Sequence, residues 1–347
     1  MNKKYVVKYA IIIVLILIIG MFALLAGFYI SGERNFTKTK GKMSEQEFVL
    51  KKNQRIYEEE IYQYNEDIIN ILVMGIDKET FTTVGGQSWD AEEGSVYAGG
   101  QADALFLGVI DRKNEEVSII NINRNAMVDV DIWDAEGNYQ GIATKQIALQ
   151  HGFGDGKEQS CERQAKAVSR MLGDIPIDLY VSISMDAIPE LNDAVGGIEV
   201  EVLDDIIYPE YDMDLHQGDR VLLQGEKAYW YLRLRNENVF NSNELRLQRQ
   251  KQYLKEYIEQ VKGQTKKDLS VPIQLYNIVQ KYMVTNVDVN SFTYLVAELL
   301  DYEIKLDSMY GIAGEVVQGN NFEEYYIDDE ALEKMIIDLF FEKTNDK

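Results

Sequence analysis

Two aspartates and five arginines stand where this chain could gather charge around a phosphate. Asp77 ends one apolar run, NILVMGID (70–77), and Asp103 immediately precedes another, ALFLGVID (104–111). Carboxylates at the ends of neighbouring strands converge on an open edge. A pair of them beside a phosphorylated ligand suits Mg²⁺, with Mn²⁺ as the alternative, because such ions take oxygen donors and keep several waters. The competing reading is two solvated turn residues. Arg124 follows a third apolar run, EVSIINI (116–122). Arg233 and Arg235 are two apart in YLRLR and share a face if that segment is extended. Arg246 and Arg249 are three apart on a helical stretch and point roughly together, with Gln250 adjacent. Guanidinium forks match phosphate oxygens bidentately, and several around a diphosphate would stabilise its charge. The alternative is ion pairing with a surface rich in Asp and Glu.

That background is strongly acidic: 58 Asp and Glu against 35 Lys and Arg, a formal charge of -23. Nucleic acid is not an expected partner, since backbone recognition wants a basic face. A local arginine cluster is all the more distinctive. Cys161 is the single cysteine, so no intrachain disulfide or C-x-x-C motif exists. The two histidines, His151 and His216, cannot build a histidine-rich metal site and read as surface or capping residues. Asp129, Asp131 and Asp134, near Trp133, read as a solvated loop rather than a secondary ion site.

The elements that must position these groups alternate between strand and helix. The continuous apolar character of 70–77 suits a central strand covered on both faces. A glycine-rich polar stretch, 78–103, reads as a long loop, and such loops are often functional. Helices are expected at 142–151 and 160–172, a strand at 180–184, a helix ended by Gly196–Gly197, and a strand at 198–202. EKAYWYL (226–232) is helical or helix-to-strand, 244–263 is an amphipathic helix, and helical character returns near 290–300 and 328–342. The pattern predicts an α/β domain: an α/β/α sandwich around a central mixed β-sheet.

Ala10 to Ile30 carries no charge. At about 1.5 Å per residue it spans a hydrocarbon layer of about 30 Å as a helix. Its length and the SGERNFTK that follows favour an uncleaved single-pass anchor over a cleaved signal peptide. The expected organisation is a cytoplasmic tail (1–9), a transmembrane signal anchor (10–30), a polar stalk (31–66) that turns helical near its end, a main domain (67–265) and a C-terminal extension of unknown role (266–347).

NILVMGID, QADALFLGVI, EVSIININRNAM, KQIALQHGFG, IPIDLYVSISMDAIPELNDAVGGIEVEV, LQGEKAYWYLRLR and ELRLQRQKQYL occur in an order that resembles the LytR–CpsA–Psr family of Gram-positive envelope proteins, over residues 68–263. The resemblance implies a cell-membrane protein with its large domain outside the cytoplasm. It implies a transferase that moves a glycopolymer, such as a teichoic acid or capsular polysaccharide, from a polyprenyl-pyrophosphate carrier to peptidoglycan, with the polyprenyl tail in an apolar groove. On the matching positions Asp77 and Asp103 would hold Mg²⁺. Arg124, Arg233, Arg235, Arg246 and Arg249 would surround the pyrophosphate, with Gln250 and Lys145 assisting. The chain departs from the family pattern at Glu79 and Gln101, where the family has arginines, and at Asn125, where it has a carboxylate. The alternative is a non-catalytic polyprenyl-phosphate binder or regulator of envelope biogenesis.

Overall fold

The computed structural model describes residues 54–76, 99–134, 136–234, 242–268, 270–299, 302–305, 309–319 and 322–344. The anchor expected at 10–30, and Asp77, Glu79 and Arg235, lie outside these residues. Among the described residues no helix is long and apolar enough to cross a membrane.

The chain enters through a hairpin, β1 (Gln54–Tyr57) and β2 (Glu60–Tyr64), where helix was expected. Glu58 and Glu59 both adopt positive φ, 48° and 66°. Two consecutive left-handed residues make the tight turn that matches strand twist, so the local pairing overrides helical propensity. Next come β3 (Ile68–Ile76), β4 (Ala102–Asp111) and β5 (Glu116–Ile122), with β4 antiparallel to both β3 and β5. A two-stranded ribbon follows, β6 (Met127–Trp133) with β7 (Tyr139–Gln146). The helix expected at 142–151 is therefore strand to residue 146, then two 3₁₀ turns, Ile147–Leu149 and His151–Phe153. Exposure alternates along β7, which is the period of a strand and not of a helix.

The remaining elements are α1 (Glu158–Met171), β8 (Leu179–Ser184), α2 (Ile188–Ala194), β9 (Ile198–Glu201), β10 (Ile206–Tyr208), β11 (Met213–Leu215), β12 (Arg220–Leu223) and α3 (Glu226–Arg233). Then come α4 (Ser242–Thr265), α5 (Val271–Val279), β13 (Met283–Thr285), α6 (Val289–Leu299), β14 (Glu303–Ile304), β15 (Tyr310–Gly311), β16 (Gly314–Gln318), β17 (Glu323–Ile327), α7 (Asp329–Phe340) and β18 (Phe341–Lys343). Gly196 and Gly197 take φ of 89° and 88° where α2 ends, as the sequence predicts.

The result is an α/β domain with a central mixed sheet flanked by helices. The sheet order is β13–β8–β3–β4–β5–β14, and β15 also pairs with β5. Alternate residues of β3 serve different layers. Ile68, Leu72, Met74 and Ile76 pack with Cys161 and Val168 of α1 and with Ile336 and Phe340 of α7. Ile69 packs with Tyr294 and Leu295 of α6. A third cluster gathers β9–β12, α3 and α4 around Tyr231 and Met213. Residues beyond 265 share this architecture: β13, β14 and β15 extend the sheet, α7 buries Phe340 completely, and β18 pairs with β2 of the entry hairpin.

Candidate functional site

The carboxyl-terminal ends of β3, β5 and β8 lie at one edge of the sheet, where α/β folds commonly hold ligands. There the ladder between β3 and β4 slips: Gly75 faces Ala104 but Ile76 faces Ala102, leaving Asp103 as the extra residue of a bulge. A bulge re-aims a side chain that regular alternation would send elsewhere. Asp103 is 8 % exposed, and its Oδ1 lies 3.1 Å from Nη2 of Arg124. Asp77, the residue after Ile76 in the sequence, is outside the described residues.

Arg124 is presented by a tight turn at the end of β5. Asn123 Oδ1 accepts from the Asn125 N–H at 3.0 Å, and the Ala126 N–H donates to Asn123 O at 3.0 Å, so the asparagine side chain builds the turn. Asn125 is also committed internally. Its Oδ1 accepts from Gln146 Nε2 at 3.3 Å, and its carbonyl accepts from the Tyr325 N–H at 3.0 Å. Gln101 Oε1 accepts from Arg124 Nη2, so the residue standing in place of a family arginine serves as a partner for Arg124. The Arg124 Nε is buried with no hydrogen-bond acceptor among the described residues. A buried donor left unmet is costly inside a protein, and an anionic oxygen would satisfy it.

Glu244 and Arg246 lie in the first turns of α4. Glu244 is within electrostatic reach of Tyr325; burial first, and this carboxylate second, push the Tyr325 phenol up. Tyr325 is in turn bonded to the Arg124 turn. Arg246 is buried on this part of α4. Arg233 is the last residue of α3, not part of an extended segment; its Nη1 donates to the Tyr229 hydroxyl, and its guanidinium lies 5.5 Å from the Tyr229 ring centroid. Lys145 sits half-buried on β7 opposite Val128, on the ribbon that leaves the Arg124 turn. Arg249 is directed inward. Its Nη1 donates to Tyr231 O at 2.7 Å, its Nη2 to Leu234 O, and Asp204 Oδ1 lies 3.3 Å from its Nε. Gln250 Nε2 donates to Leu232 O at 3.3 Å. Asp204 carries no sequence signal of this role, because it is remote along the chain and sits in an ordinary turn.

Above the Arg124 edge the sheet presents an apolar face that its helices leave partly open. Val73 of β3 pairs with Phe106 and Val181, and Gly75 with Ala104 and Ile183. All six are half-buried. They belong to the same side of β3 as Ile69, which α6 covers.

His151 and the Asp129–Asp134 segment correct the sequence reading. His151 is 1 % exposed, with Nδ1 2.8 Å from Gly99 O and 3.1 Å from Gly100 O. It thus clamps the segment leading into Gln101 and Asp103. Asp129 and Asp131 lie on β6, where Asp131 is buried and pairs with Arg170 at 3.1 Å. Asp134 holds the β6–β7 turn, accepting from the Asn138 N–H at 2.7 Å. Burial lowers the His151 pKa from its ordinary 6.5, outweighing the two glycine carbonyls. A depressed folded pKa means that the neutral ring's stabilisation is complete above 6.5 and is lost as pH falls toward the folded value. Chemical denaturation between pH 7 and pH 5 should therefore show stability falling, by up to about 1.4 kcal/mol per pH unit. His151→Gln should flatten that slope, and an unchanged slope would show that this ring does not carry it.

Among the described residues no group of three or more His, Cys, Asp or Glu is arranged to hold a metal. Mg²⁺ does not require one, since one or two carboxylates with phosphate oxygens and water suffice. Asp103, a buried carboxylate at the arginine edge, is chemically fitted to that role.

Comparison with known proteins places this arrangement in context. The chain is 26% identical over 197 residues to the polyisoprenyl-teichoic acid–peptidoglycan teichoic acid transferase TagU of Enterococcus faecalis, covering 57% of this chain and 55% of the relative. It is 25% identical over 269 residues to biofilm regulatory protein A of Streptococcus mutans, covering 75% and 60%. The chain thus spans little more than half the length of these curated relatives. Among solved structures, protein gbs0355 of Streptococcus agalactiae matches with a TM-score of 0.61 at 21% identity, covering 81% of this chain and 91% of that one. Bacillus subtilis TagV matches with 0.59 at 22%, covering 79% and 96%. At these identities the likeness is one of fold. The sequence model of the LytR_cpsA_psr family matches residues 27–339, and the chain belongs to the LytR–CpsA–Psr family.

Proposed function

We propose that this chain is a membrane-anchored, extracytoplasmic transferase. It takes a glycopolymer of the teichoic acid or capsular polysaccharide kind from a polyprenyl-pyrophosphate carrier and links it to peptidoglycan through a phosphodiester. The observation that supports this most is the buried Arg124–Asp103 pair, set by a strand bulge at the end of an open apolar sheet face. A polyprenyl diphosphate has the complementary shape, an apolar tail joined to a dense anion.

In this reading the tail lies over Val73, Phe106, Val181 and Ile183, and the diphosphate meets Arg124, Arg233, Arg246 and Arg235. A peptidoglycan sugar hydroxyl attacks the glycan-side phosphorus. The new P–O bond forms as the bond to polyprenyl phosphate breaks, and the hydroxyl proton leaves with a carboxylate or water. Arg124, held in place by its turn, stabilises the charge on the transferring group without having to reorganise. Its unmet Nε supplies a second donor for one phosphate oxygen. Asp103 with Asp77 would hold Mg²⁺, which supplies charge neutralisation at the phosphoryl oxygens. The deciding assay gives the full chain in lipid nanodiscs a synthetic polyprenyl-diphosphate saccharide, peptidoglycan oligomer and Mg²⁺. Metal-dependent phosphodiester product is expected.

A second reading has its own support. Gln101 and Asn125 are absorbed into the protein's hydrogen bonding, which leaves the site with fewer charges, and the regulatory S. mutans relative covers three quarters of the chain. A polyprenyl-phosphate-binding regulator would hold the donor tightly and give no product.

A further inference from the structure

We propose that Arg249 and Gln250 form a C-terminal cap supplied in trans to α3, and that they position Arg233 rather than contact the diphosphate. This inference rests on the transferase reading for its catalytic consequence but not for the cap itself.

A helix ends with carbonyls that have no partner of its own, and a buried end must find donors elsewhere. In α3 the Leu234 N–H closes the last backbone bond, to Trp230 O at 2.9 Å. Three of the carbonyls that follow are met from α4. Tyr231 O and Leu234 O accept from the two terminal nitrogens of Arg249, and Leu232 O accepts from Gln250. Leu234 turns extended at φ -63° and ψ 135°, which ends the helix at this point. With Arg249 at 1 % exposure and Gln250 at 5 %, water cannot stand in for either side chain.

Charge makes the same case. The carboxyl end of a helix is its negative pole and disfavours anions nearby. Arg233 is the final residue of α3, so the proposed diphosphate partner stands at the wrong end of its own helix. The cap covers those carbonyls with a cation and an amide. Asp204 beside the Arg249 Nε balances the remaining charge, so Arg249 adds little net attraction for a ligand. Turning Arg249 outward would strip two carbonyls of donors and strand Asp204 in a half-buried position. Its guanidinium is committed to α3, and its influence on the reaction passes through Arg233.

Amide hydrogen exchange and kinetics on the full chain in nanodiscs test this. In Arg249→Lys, exchange at Leu234 should accelerate at least tenfold without donor present, since a lysine ammonium cannot bridge both carbonyls. Unchanged exchange overturns the cap, whatever the activity. In turnover, Arg249→Lys should lower kcat about tenfold with donor Kd within threefold of wild type. Combined with Arg233→Gln it should cost nothing beyond Arg233→Gln alone. A donor Kd that rises as much as in Arg233→Gln, with the two effects multiplying, would make Arg249 a direct anion ligand and overturn the proposal. If Arg249→Lys does not fold, Gln250→Met removes one donor only. It should speed Leu234 exchange about threefold and be silent on top of Arg233→Gln; no change in exchange overturns the proposal here too. Loss of wild-type turnover would refute the transferase reading and leave the exchange result standing.

Discussion

If the chain is the transferase proposed, Arg124→Ala and Asp103→Ala should each lower kcat for glycan transfer by about 10²–10³-fold, the effect of removing one preorganised charge partner at a reacting group. Because the two residues pair at 3.1 Å with side chains only 12% and 11% exposed, loss of activity alone would not separate chemistry from architecture. Stability does. Deleting one member leaves the other as a poorly solvated lone charge, at a cost of up to about 3–5 kcal/mol. Deleting both removes that penalty. The Asp103→Ala/Arg124→Ala double variant should therefore melt at a higher temperature than either single variant and remain inactive. A double variant that recovers activity along with stability would reduce the pair to a structural ion bridge. Arg124→Lys keeps the charge but loses the planar fork and the Nε donor, and should fall between wild type and Arg124→Ala.

The meeting of Asp103 and Arg124 could be read from the chain because it depends on strand ends. Apolar runs at 70–77, 104–111 and 116–122 fix three adjacent strands, and residues just outside such runs meet at the sheet edge. Asp103 and Arg124 are brought together for that reason. The bulge at Asp103 was not legible, since an extra residue leaves no mark on a short apolar run. Spacing also put Arg246, Arg249 and Gln250 on one helix without saying what each would face. Arg249 meets the end of α3, a tertiary fact that periodicity cannot carry. A lone histidine in a sequence reports nothing of its neighbours; here the carbonyls of Gly99 and Gly100 enclose His151. The strands beyond 265 that join the central sheet, β13, β14 and β15, are only two or three residues long, too short for alternation to show, and their pairing with β5 and β8 is what ties them to the sheet.

Gly108→Leu tests the apolar face without touching a charge. Gly108 lies on β4 opposite Ile71, on the side of the sheet that carries Ala104 and Phe106. A Cβ built there meets only Ile71 O, at 3.8 Å, which is ordinary contact. Gly75 is different: its Cβ would come within 3.1 Å of the Ala104 Cβ, so substitution there would force the strands to adjust. At Gly108 a Cβ has room, and replacing a strand glycine should leave stability equal or slightly raised. The new side chain would occupy volume that the proposed lipid tail fills. Displacing about one isoprene unit forfeits on the order of 2 kcal/mol of apolar burial, or roughly 30-fold in affinity. The variant should thus bind a long polyprenyl donor about 30-fold more weakly at an unchanged melting temperature. A donor with two isoprene units, too short to reach past the first strands, should be bound and turned over within twofold of wild type. Equal losses for both donors would place the tail elsewhere, since a plug in the groove distinguishes ligands only by how far they extend along it.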